Sequence, residues 1–511
     1  MKTDIRKMLI LIPMLIAVVA LTSCAGSSDR AYPKSLDDLN GLRAGVVVGT
    51  IHDAVTQKHF PDSEISYVNE YADEIAALQN NKIDYFLIDG LKAKHMAGQT
   101  DDVTTIEEVI QTQDFGFIFK KDSKESDALQ AQFNEYIAAS EADGTLENLR
   151  HKWLDDTDYA VEHAEPLDFT FTAENGNLNL AVCNTSPPYS FVSGTELNGF
   201  DIEFAAMFCK KYGYGLTISA SDFGGIIPAV VSGKCDFGAS SLSYTEERAK
   251  SVDFSDCYQT SDILAVVAKE NVSAFSLEGI KYSFERTFIH EDRWKNVLGG
   301  LLTTLNIFVM SAILGTLLGL VVYMLCRKGN KVLNKFFDAF TWLFSGIPMV
   351  VILMILYYII FGKSDISGTV VSIIAFGIST MLSVYSLMKV SVLSIDRGQI
   401  EGAYSLGFTD RQTFWKIVFP QAMTQFMPNY KSTLVSMLKG TAIVGYIAVQ
   451  DLTKISDVIR ARTYEAFFPL IATALIYLAL VLIITAFIKK VSISFEPKKR
   501  TEEKILKKYK L

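Results

Sequence analysis

Long apolar runs in the C-terminal part of the chain restrict its fold more than any other feature. A helix of roughly 20 apolar residues crosses a bilayer, and the sequence predicts several such helices between residues 297 and 488. Membrane spans are expected at 297–325, 337–361, 367–390, 432–450 and 466–488. The second span contains Pro348, which should kink or break a helix. The sequence therefore predicts an all-α transmembrane domain of about five helices at 294–492.

The residues before about 290 are charged, polar and interrupted by turns, as in a soluble domain. The formal net charge of −9 argues against a nucleic-acid-binding function, which needs a basic face. The cysteine spacing matches no metal motif, so neither a metal nor another cofactor is expected. Four cysteines could pair outside the cytoplasm or remain free thiols: Cys183, Cys209, Cys235 and Cys257.

The first 24 residues have the pattern of a targeting segment. Lys2, Arg6 and Lys7 precede an apolar stretch that is too short to span a membrane comfortably. It ends at Cys24, in a Leu-Thr-Ser-Cys sequence that resembles a bacterial lipobox, which implies lipidation of Cys24. The alternative is an ordinary signal peptide with a chance cysteine. In either case the residues that follow are expected outside the cytoplasm.

Basic residues give the orientation of the membrane domain, because they are enriched in cytoplasmic loops. One basic cluster follows the first span: Arg327, Lys328, Lys331 and Lys335. Another follows the fifth span: Lys489, Lys490, Lys498, Lys499 and Arg500. With five spans both clusters lie on the cytoplasmic side, the tail at 493–511 included. The soluble domain then lies outside the cell (plasma or inner) membrane, in agreement with the targeting segment.

The segment between the third and fourth spans is too long and polar for a simple turn. It contains a spaced motif: Glu401, Gly402, Ala403, Gly407, Ile417 and Pro420. The motif resembles the EAA loop of ABC importer permeases, with Gly402 in place of Ala and Phe419 in place of Leu. Its spacing predicts a helix, a turn at Gly407 and a second helix closed by Pro420.

The resemblance extends over residues 290–490, which look like the permease domain of polar amino-acid ABC importers. It implies that the loop contacts a cytoplasmic ABC ATPase subunit, present in two copies, and that two permeases act together as a homodimer. The chain is not expected to be an enzyme. Its Gly362-Lys363-Ser364 lacks the first glycine of a phosphate-binding loop, since Tyr357 stands there.

The soluble domain carries a second set of motifs, in two blocks. The later block holds a predicted strand at 178–182, then Pro187-Pro188-Tyr189, Gly199-Phe200-Asp201, Asp222-Phe223-Gly224, Ser232-Gly233-Lys234 and Thr245-Glu246-Glu247-Arg248. Together, residues 178–268 resemble the first lobe of a family-3 periplasmic amino-acid-binding protein. The earlier block holds Ser35-Leu36-Asp37, Gly49-Thr50, Lys82-Ile83-Asp84 and Ile88-Asp89. It resembles the second lobe.

Because the lobes occur once each in swapped order, we expect one circularly permuted α/β domain of two lobes at 35–270. Residues 35–120 would form lobe two, and residues 121–270 would be mostly lobe one, with a linker at 271–293 before the membrane domain. The residues at 155–176 would join the former termini, which surface positions tolerate. The alternative is two truncated receptors, each with an exposed inter-lobe face.

The resemblance assigns ligand-binding roles to residues of both lobes. Arg248 would hold the ligand carboxylate, because a guanidinium grips a carboxylate through two parallel hydrogen bonds. Asp89 would pair with the ligand ammonium, and Phe223 would pack on its side chain. Further contacts are expected from Ser241, Ser243, Thr50 and Tyr189. The alternatives are a surface role for Arg248, a core role for Phe223 and a strand-end turn for Asp89.

The sequence thus predicts a receptor–permease fusion of an ABC importer, with an amino acid as the ligand and the lipid bilayer as its surroundings. Which amino acid is bound is not implied, since Cys183 and Ser186 depart from the family where the variable part of the ligand is recognised. A ligand-gated ion channel with a similar receptor is the alternative. It gives the loop at 401–420 no function.

Overall fold

The computed structural model describes residues 32–100, 102–269, 277–327, 329–362, 364, 366–465 and 468–492. The expected targeting segment with Cys24 and the basic tail at 493–511 lie outside the described residues. The remaining cysteines are free thiols: Cys183, Cys209, Cys235, Cys257 and Cys326.

The residues up to 268 form an α/β unit. Its strands are β1 (Arg43–Val47), β2 (Glu64–Val68), β3 (Tyr85–Asp89), β4 (Val103–Phe115), β5 (Ile118–Lys120), β6 (Asn177–Cys183), β7 (Thr185–Ser186), β8 (Ser190–Ser193), β9 (Glu196–Asn198), β10 (Gly215–Ser221), β11 (Phe237–Gly238), β12 (Val252–Phe254) and β13 (Gln259–Ala268). Its helices are α1 (His52–His59), α2 (Tyr71–Gln79), α3 (Gly90–Gln99), α4 (Lys124–Ala142), α5 (Thr145–Trp153), α6 (Thr157–Glu162), α7 (Phe200–Lys211) and α8 (Ile226–Val231).

Two five-stranded sheets organise this unit into two lobes. The sheet of lobe A has the order β2-β1-β3-β13-β4, and that of lobe B has the order β10-β6-β11-β5-β12. Each sheet contains one inner strand that is distant in sequence from the strands beside it. In lobe A this strand is β13, which pairs antiparallel with β3. In lobe B it is β5, which pairs antiparallel with β11. Lobe A therefore consists of residues 35–115 and 259–268, and lobe B of residues 118–258. Two chain segments, at 115–118 and 254–259, connect them.

Separate cores hold the two lobes. Aliphatic side chains of β1, β3 and β13 fill lobe A, including Val47, Leu87 and Val266, all at most 1% exposed. Lobe B is built around aromatic rings, with the Phe117 and Phe133 centroids 4.5 Å apart. Burying aromatic rings of this size contributes most of the stability of such a core. The cores leave a cleft between the lobes.

The C-terminal half is helical. Its helices are α9 (Leu277–Phe284), α10 (Trp294–Arg327), α11 (Lys331–Gly346), α12 (Met349–Met354), α13 (Gly368–Leu393), α14 (Arg397–Ser405), α15 (Asp410–Thr413), α16 (Phe419–Gly440), α17 (Leu452–Thr463) and α18 (Phe468–Ser492). Wide π-helical turns lie at Ile355–Ile360 and Phe414–Val418, and a 3₁₀ turn lies at Thr441–Ile447. The predicted fold class, two α/β lobes followed by an all-α domain, is confirmed.

Three described helices are long and apolar enough to cross a membrane, namely α10, α13 and α18, and the number rises to five if each of two bent pairs is one span. The second predicted span, 337–361, is broken in the middle, as its proline predicts: α11 and the segment after it meet at 105°. The break falls at Ile347-Pro348, where the residue before a proline is driven out of the helical region. The fourth, 432–450, is the end of α16 followed by the 3₁₀ turn.

Helix α10 links the two ends of the molecule. Its 34 residues extend over about 50 Å at 1.5 Å per residue. Near its start, the Asn296 amide donates to the carbonyl of Gly194 in lobe B at 2.5 Å. At its end, Arg327 pairs with Asp410 at 3.2 Å, beside the motif at 401–420. The two-lobed unit and that motif therefore lie at opposite ends of the helical domain.

Candidate functional site

A small cavity lies in the cleft between the lobes. Side chains of both lobes line it: Thr50, Ile51, His52, Tyr71, Asp89, Lys92, Gln113 and Phe115 from lobe A, and Phe223, Ser241, Ser243 and Arg248 from lobe B. Six of the seven residues expected to bind a ligand are among them. The seventh, Tyr189, lies behind the cavity with its hydroxyl 3.5 Å from Asp89 Oδ2.

Arg248 reaches across the cleft from lobe B. One guanidinium nitrogen donates to the Ser243 carbonyl at 2.8 Å and another to the Gly49 carbonyl of lobe A at 2.6 Å. The guanidinium also lies 5.7 Å from the centre of the Phe223 ring. Thr245 Oγ1 accepts from the Arg248 amide at 3.1 Å, as its position in the motif predicts. Burial lowers the pKa of Arg248 to about 10, so it stays charged at neutral pH.

Asp89 and Lys92 lie at the start of α3 on lobe A. Asp89 ends β3 and caps α3, accepting from the Lys92 amide at 3.0 Å. Burial raises the pKa of Asp89, and the nearby Lys92 ammonium opposes that shift. The Lys92 ammonium donates to Ser241 Oγ of lobe B at 2.7 Å. It also lies 5.3 Å from the centre of the Tyr189 ring, a favourable cation–π distance. Lys92 is thus a second cation that crosses the cleft.

Ser241 and Ser243 of lobe B are both hydrogen-bonded within the protein. Asp201 Oδ2 accepts from the Ser241 amide at 2.7 Å, so this backbone group is already bonded within the protein. The other Asp201 oxygen accepts from the Tyr258 hydroxyl at 2.7 Å, and burial raises the pKa of Asp201 to about 6. Ser243 Oγ donates to Gln113 Oε1 at 2.7 Å, which is another contact between the lobes.

Sequence reasoning missed several lining residues, chiefly Lys92, His52 and Gln113. His52 begins α1 after the left-handed turn at Gly49, which has φ +85°. Its side chain is 4% exposed, and Nδ1 has no hydrogen-bond partner among the described residues. Burial, with the charges of Lys92 and Arg248, lowers the pKa of His52 to about 3. The sequence does contain a signal for Lys92. It lies in the first turn of the helix that Asp89 caps, and side chains there lean toward the N-terminal end of the helix, which faces the cleft.

The motif at 401–420 forms a helical hairpin on the opposite end of the molecule. Glu401, Gly402 and Ala403 lie on α14, and Gly407 turns the chain with φ +82°. Thr409 then caps α15, with Gln412 returning a bond to the cap. Glu401 and Gly402 are exposed, whereas Ala403 is buried.

The expectation that Pro420 closes the second helix is wrong. Ile417 lies in the wide turn Phe414–Val418, and Pro420 lies in the first turn of α16, which continues to Gly440. Proline is tolerated there because amide groups in the first turn of a helix have no partner within it. The motif therefore leads directly into a long helix of the membrane domain.

Comparisons with known proteins match the two halves separately. Bacterial extracellular solute-binding proteins of family 3 match residues 178–345, and the family of binding-protein-dependent transport system inner membrane components matches residues 311–492. The first match begins at β6 and continues into α10 and α11, although the strands that complete lobe A lie before residue 178.

Individual relatives match somewhat more than a third of the chain. The chain is 32% identical over 194 residues to the arginine transport system permease protein ArtQ of Bacillus subtilis, covering 37% of this chain and 87% of that protein. It is 30% identical over 199 residues to a putative glutamine transport system permease protein of Rickettsia prowazekii, covering 38% and 90%. A crystal structure of an amino acid ABC transporter with histidines is 25% identical, covering 43% of this chain and 99% of that one, with a TM-score of 0.37.

Fold and sequence together define the class of this protein: a membrane transport component that carries its own solute-binding lobes. Within that class, the chain belongs to the family of binding-protein-dependent transport system inner membrane components.

Proposed function

We propose that this chain is the receptor–permease subunit of an ABC importer for an amino acid. The observation that carries the proposal is the cavity in which Arg248 of lobe B and Asp89 of lobe A lie together. A free amino acid presents a carboxylate and an ammonium, which these two side chains complement. The named relatives, permeases of arginine and glutamine transport systems, support the same ligand class.

The lining charges favour some amino acids over others. Arg248 and Lys92 bring two cations, and Asp89 brings one carboxylate to the same cavity. A ligand with a cationic side chain would add repulsion in a space with little water to screen it. We therefore expect neutral or acidic amino acids to bind more tightly than lysine or arginine.

We also propose that the two lobes are one circularly permuted receptor. Residues 35–115 lack the strand β13 that their sheet contains, and residues 177–258 lack β5. Neither block therefore forms a complete sheet alone, which disfavours two truncated receptors. The segment between α5 and β6 would then join what are the termini in the relatives.

The remaining assignments concern topology and partners. The lobes would lie outside the cell membrane and the hairpin at 401–420 inside, about 50 Å away along α10. Two cytoplasmic ATPase subunits would bind the hairpins of two permease copies, and ATP-driven changes would expose the pathway to each side in turn. A ligand-gated channel is disfavoured, because an exposed hairpin of this kind has no function in a channel.

A thermal-shift screen of the detergent-solubilised full chain tests the ligand class. We expect one or a few neutral or acidic L-amino acids, at about 100 times their Kd, to raise the Tm by about 5 °C. As matched controls, the decarboxylated amine and the deaminated acid of the best amino acid should give no shift. Stabilisation by sugars or phosphate alone would contradict the proposal.

A further inference from the structure

One lysine of the helical domain contacts both lobes at once. Lys454, in the first turn of α17, is 2% exposed, and its ammonium lies 2.7 Å from Glu70 Oε1. The same ammonium pairs with Asp222 Oδ1. Glu70 precedes α2 of lobe A, whereas Asp222 follows β10 of lobe B. The two carboxylates come from opposite sides of the cleft.

Neighbouring contacts keep α17 against both lobes. Arg460 pairs with Asp73 of lobe A at 2.6 Å. Gln450, just before α17, donates to the Ala220 carbonyl of lobe B at 3.2 Å and accepts from Asn184 at 3.1 Å. Lys454 itself pairs with a carboxylate of each lobe.

The charges make this contact sensitive to the separation of the lobes. An ammonium that is nearly inaccessible to water needs close partners, and removing one partner of a buried pair leaves an uncompensated charge. If lobe A and lobe B move apart, one side chain can no longer reach both carboxylates. The full contact therefore exists only while the lobes are closed.

Helix α17 connects the closed lobes to the rest of the helical domain. It follows α16 through the 3₁₀ turn Thr441–Ile447, and α16 begins at the hairpin motif. It also packs closely on α10, since a Cβ added to Gly300 would lie 2.9 Å from the Asp451 carbonyl oxygen. A shift of α17 would therefore displace α10 and α16, the two helices that extend to the end of the molecule where the hairpin lies.

We propose that Lys454, with Glu70 and Asp222, forms a closure clamp through which the permease detects and stabilises the closed receptor. This inference rests on the proposed function in that the closed receptor is the loaded one. The clamp itself requires only that the lobes open and close.

Electron–electron distance measurements on the full chain in nanodiscs test the clamp without any amino acid. Spin labels at Ser66 and Thr217 would report lobe separation, because both are exposed on the edge strands β2 and β10. Wild type should show a substantial population at a short distance. Lys454→Met should lower the ratio of closed to open receptor by about tenfold, a typical coupling between sites.

Two further variants and one control complete the design. Glu70→Gln and Asp222→Asn should shift the distribution in the same direction, and both remain informative if Lys454→Met does not fold. Lys295→Met removes an exposed lysine that pairs with Asp292 at the start of α10, and should change nothing.

Three outcomes would overturn the clamp: an unchanged distribution in Lys454→Met, a shift with Glu70→Gln but not with Asp222→Asn, or a wild type with no closed population. The amino-acid assignment fails separately, in the thermal-shift screen.

Discussion

At the scale of residues, burial of charge governs the cleft. Arg248, Lys92 and Asp89 lie in one cavity where water screens little, so each affects the protonation of its neighbours. His52 makes the cleft sensitive to pH, because burial, together with the charges of Lys92 and Arg248, keeps its side chain neutral. Its folded-state pKa of about 3 lies below its ordinary value of 6.5.

Acid should therefore destabilise the protein partly through His52. Between pH 6.5 and about 3 the unfolded chain takes up a proton that the folded chain refuses, so stability falls as the pH falls. At pH 5.5 this costs about 1 kcal/mol. In thermal unfolding of the full chain, the Tm should fall less for His52→Asn than for wild type when the pH is lowered from 7.5 to 5.5. The control is the same substitution at the exposed His163, which should behave like wild type. An equal fall in the Tm of His52→Asn and wild type would contradict the role given to His52.

Residues inside the recognised motifs could be placed from sequence. The motifs of Arg248 and Asp89 come from two lobes of one known fold, and that fold brings them together. His52 could not be assigned, because a histidine at a helix start carries no local sign of what packs around it. The contact of Lys454 with Glu70 joins positions 384 residues apart and depends on docking, about which local sequence says nothing.

At the scale of elements, two glycines of the hairpin have opposite requirements. Gly402 lies in α14 with open space around its Cα, whereas Gly407 turns the chain at φ +82°. A glycine within a helix costs stability relative to alanine, but alanine is disfavoured in the left-handed region.

The same substitution should therefore act in opposite directions at these positions. Gly402→Ala should stabilise the hairpin by about 0.5–1 kcal/mol, and Gly407→Ala should destabilise it by about 1–2 kcal/mol. Hydrogen exchange of peptides covering 397–413 would measure both, as slower exchange in the first variant and faster exchange in the second. Equal effects would show that the turn does not hold the hairpin.

The motif spacing predicts the hairpin, but not that the chain continues from it into the long helix α16. The positive φ of Gly407 agrees with the predicted turn. The motif spacing predicts a helix end at Pro420, although proline is compatible with the first turn of a helix as well as with the residue after its end. Only the wide turn at Phe414–Val418, which joins α15 to α16, distinguishes the two in this structure.

At the scale of the whole molecule, the interchange of β5 and β13 ties residues 35–115 to residues 177–268. If the receptor is permuted, the segment between α5 and β6 is a joint between former termini, and the cleft does not depend on its continuity. A protease site inserted between Ala173 and Glu174, both exposed, would cut this joint.

We expect the cut protein to remain assembled and to bind its ligand within about twofold of the uncut protein, since the cleft loses no contact. Size-exclusion chromatography after cleavage, without denaturant, measures the assembly. The uncut insertion variant is the control. Separation of the fragments would favour two independent receptor halves.

If side chains of opposite lobes hold one amino acid, calorimetry of the full chain in detergent should show that binding needs both. The titrant is the amino acid that gives the largest thermal shift, and the proteins are wild type, Arg248→Ala, Asp89→Ala and Lys295→Met. We expect wild type and Lys295→Met to bind alike, and each cleft variant to weaken binding by at least about 100-fold, as when a charged partner is lost. Binding that survives Asp89→Ala but not Arg248→Ala would contradict a ligand held between the lobes.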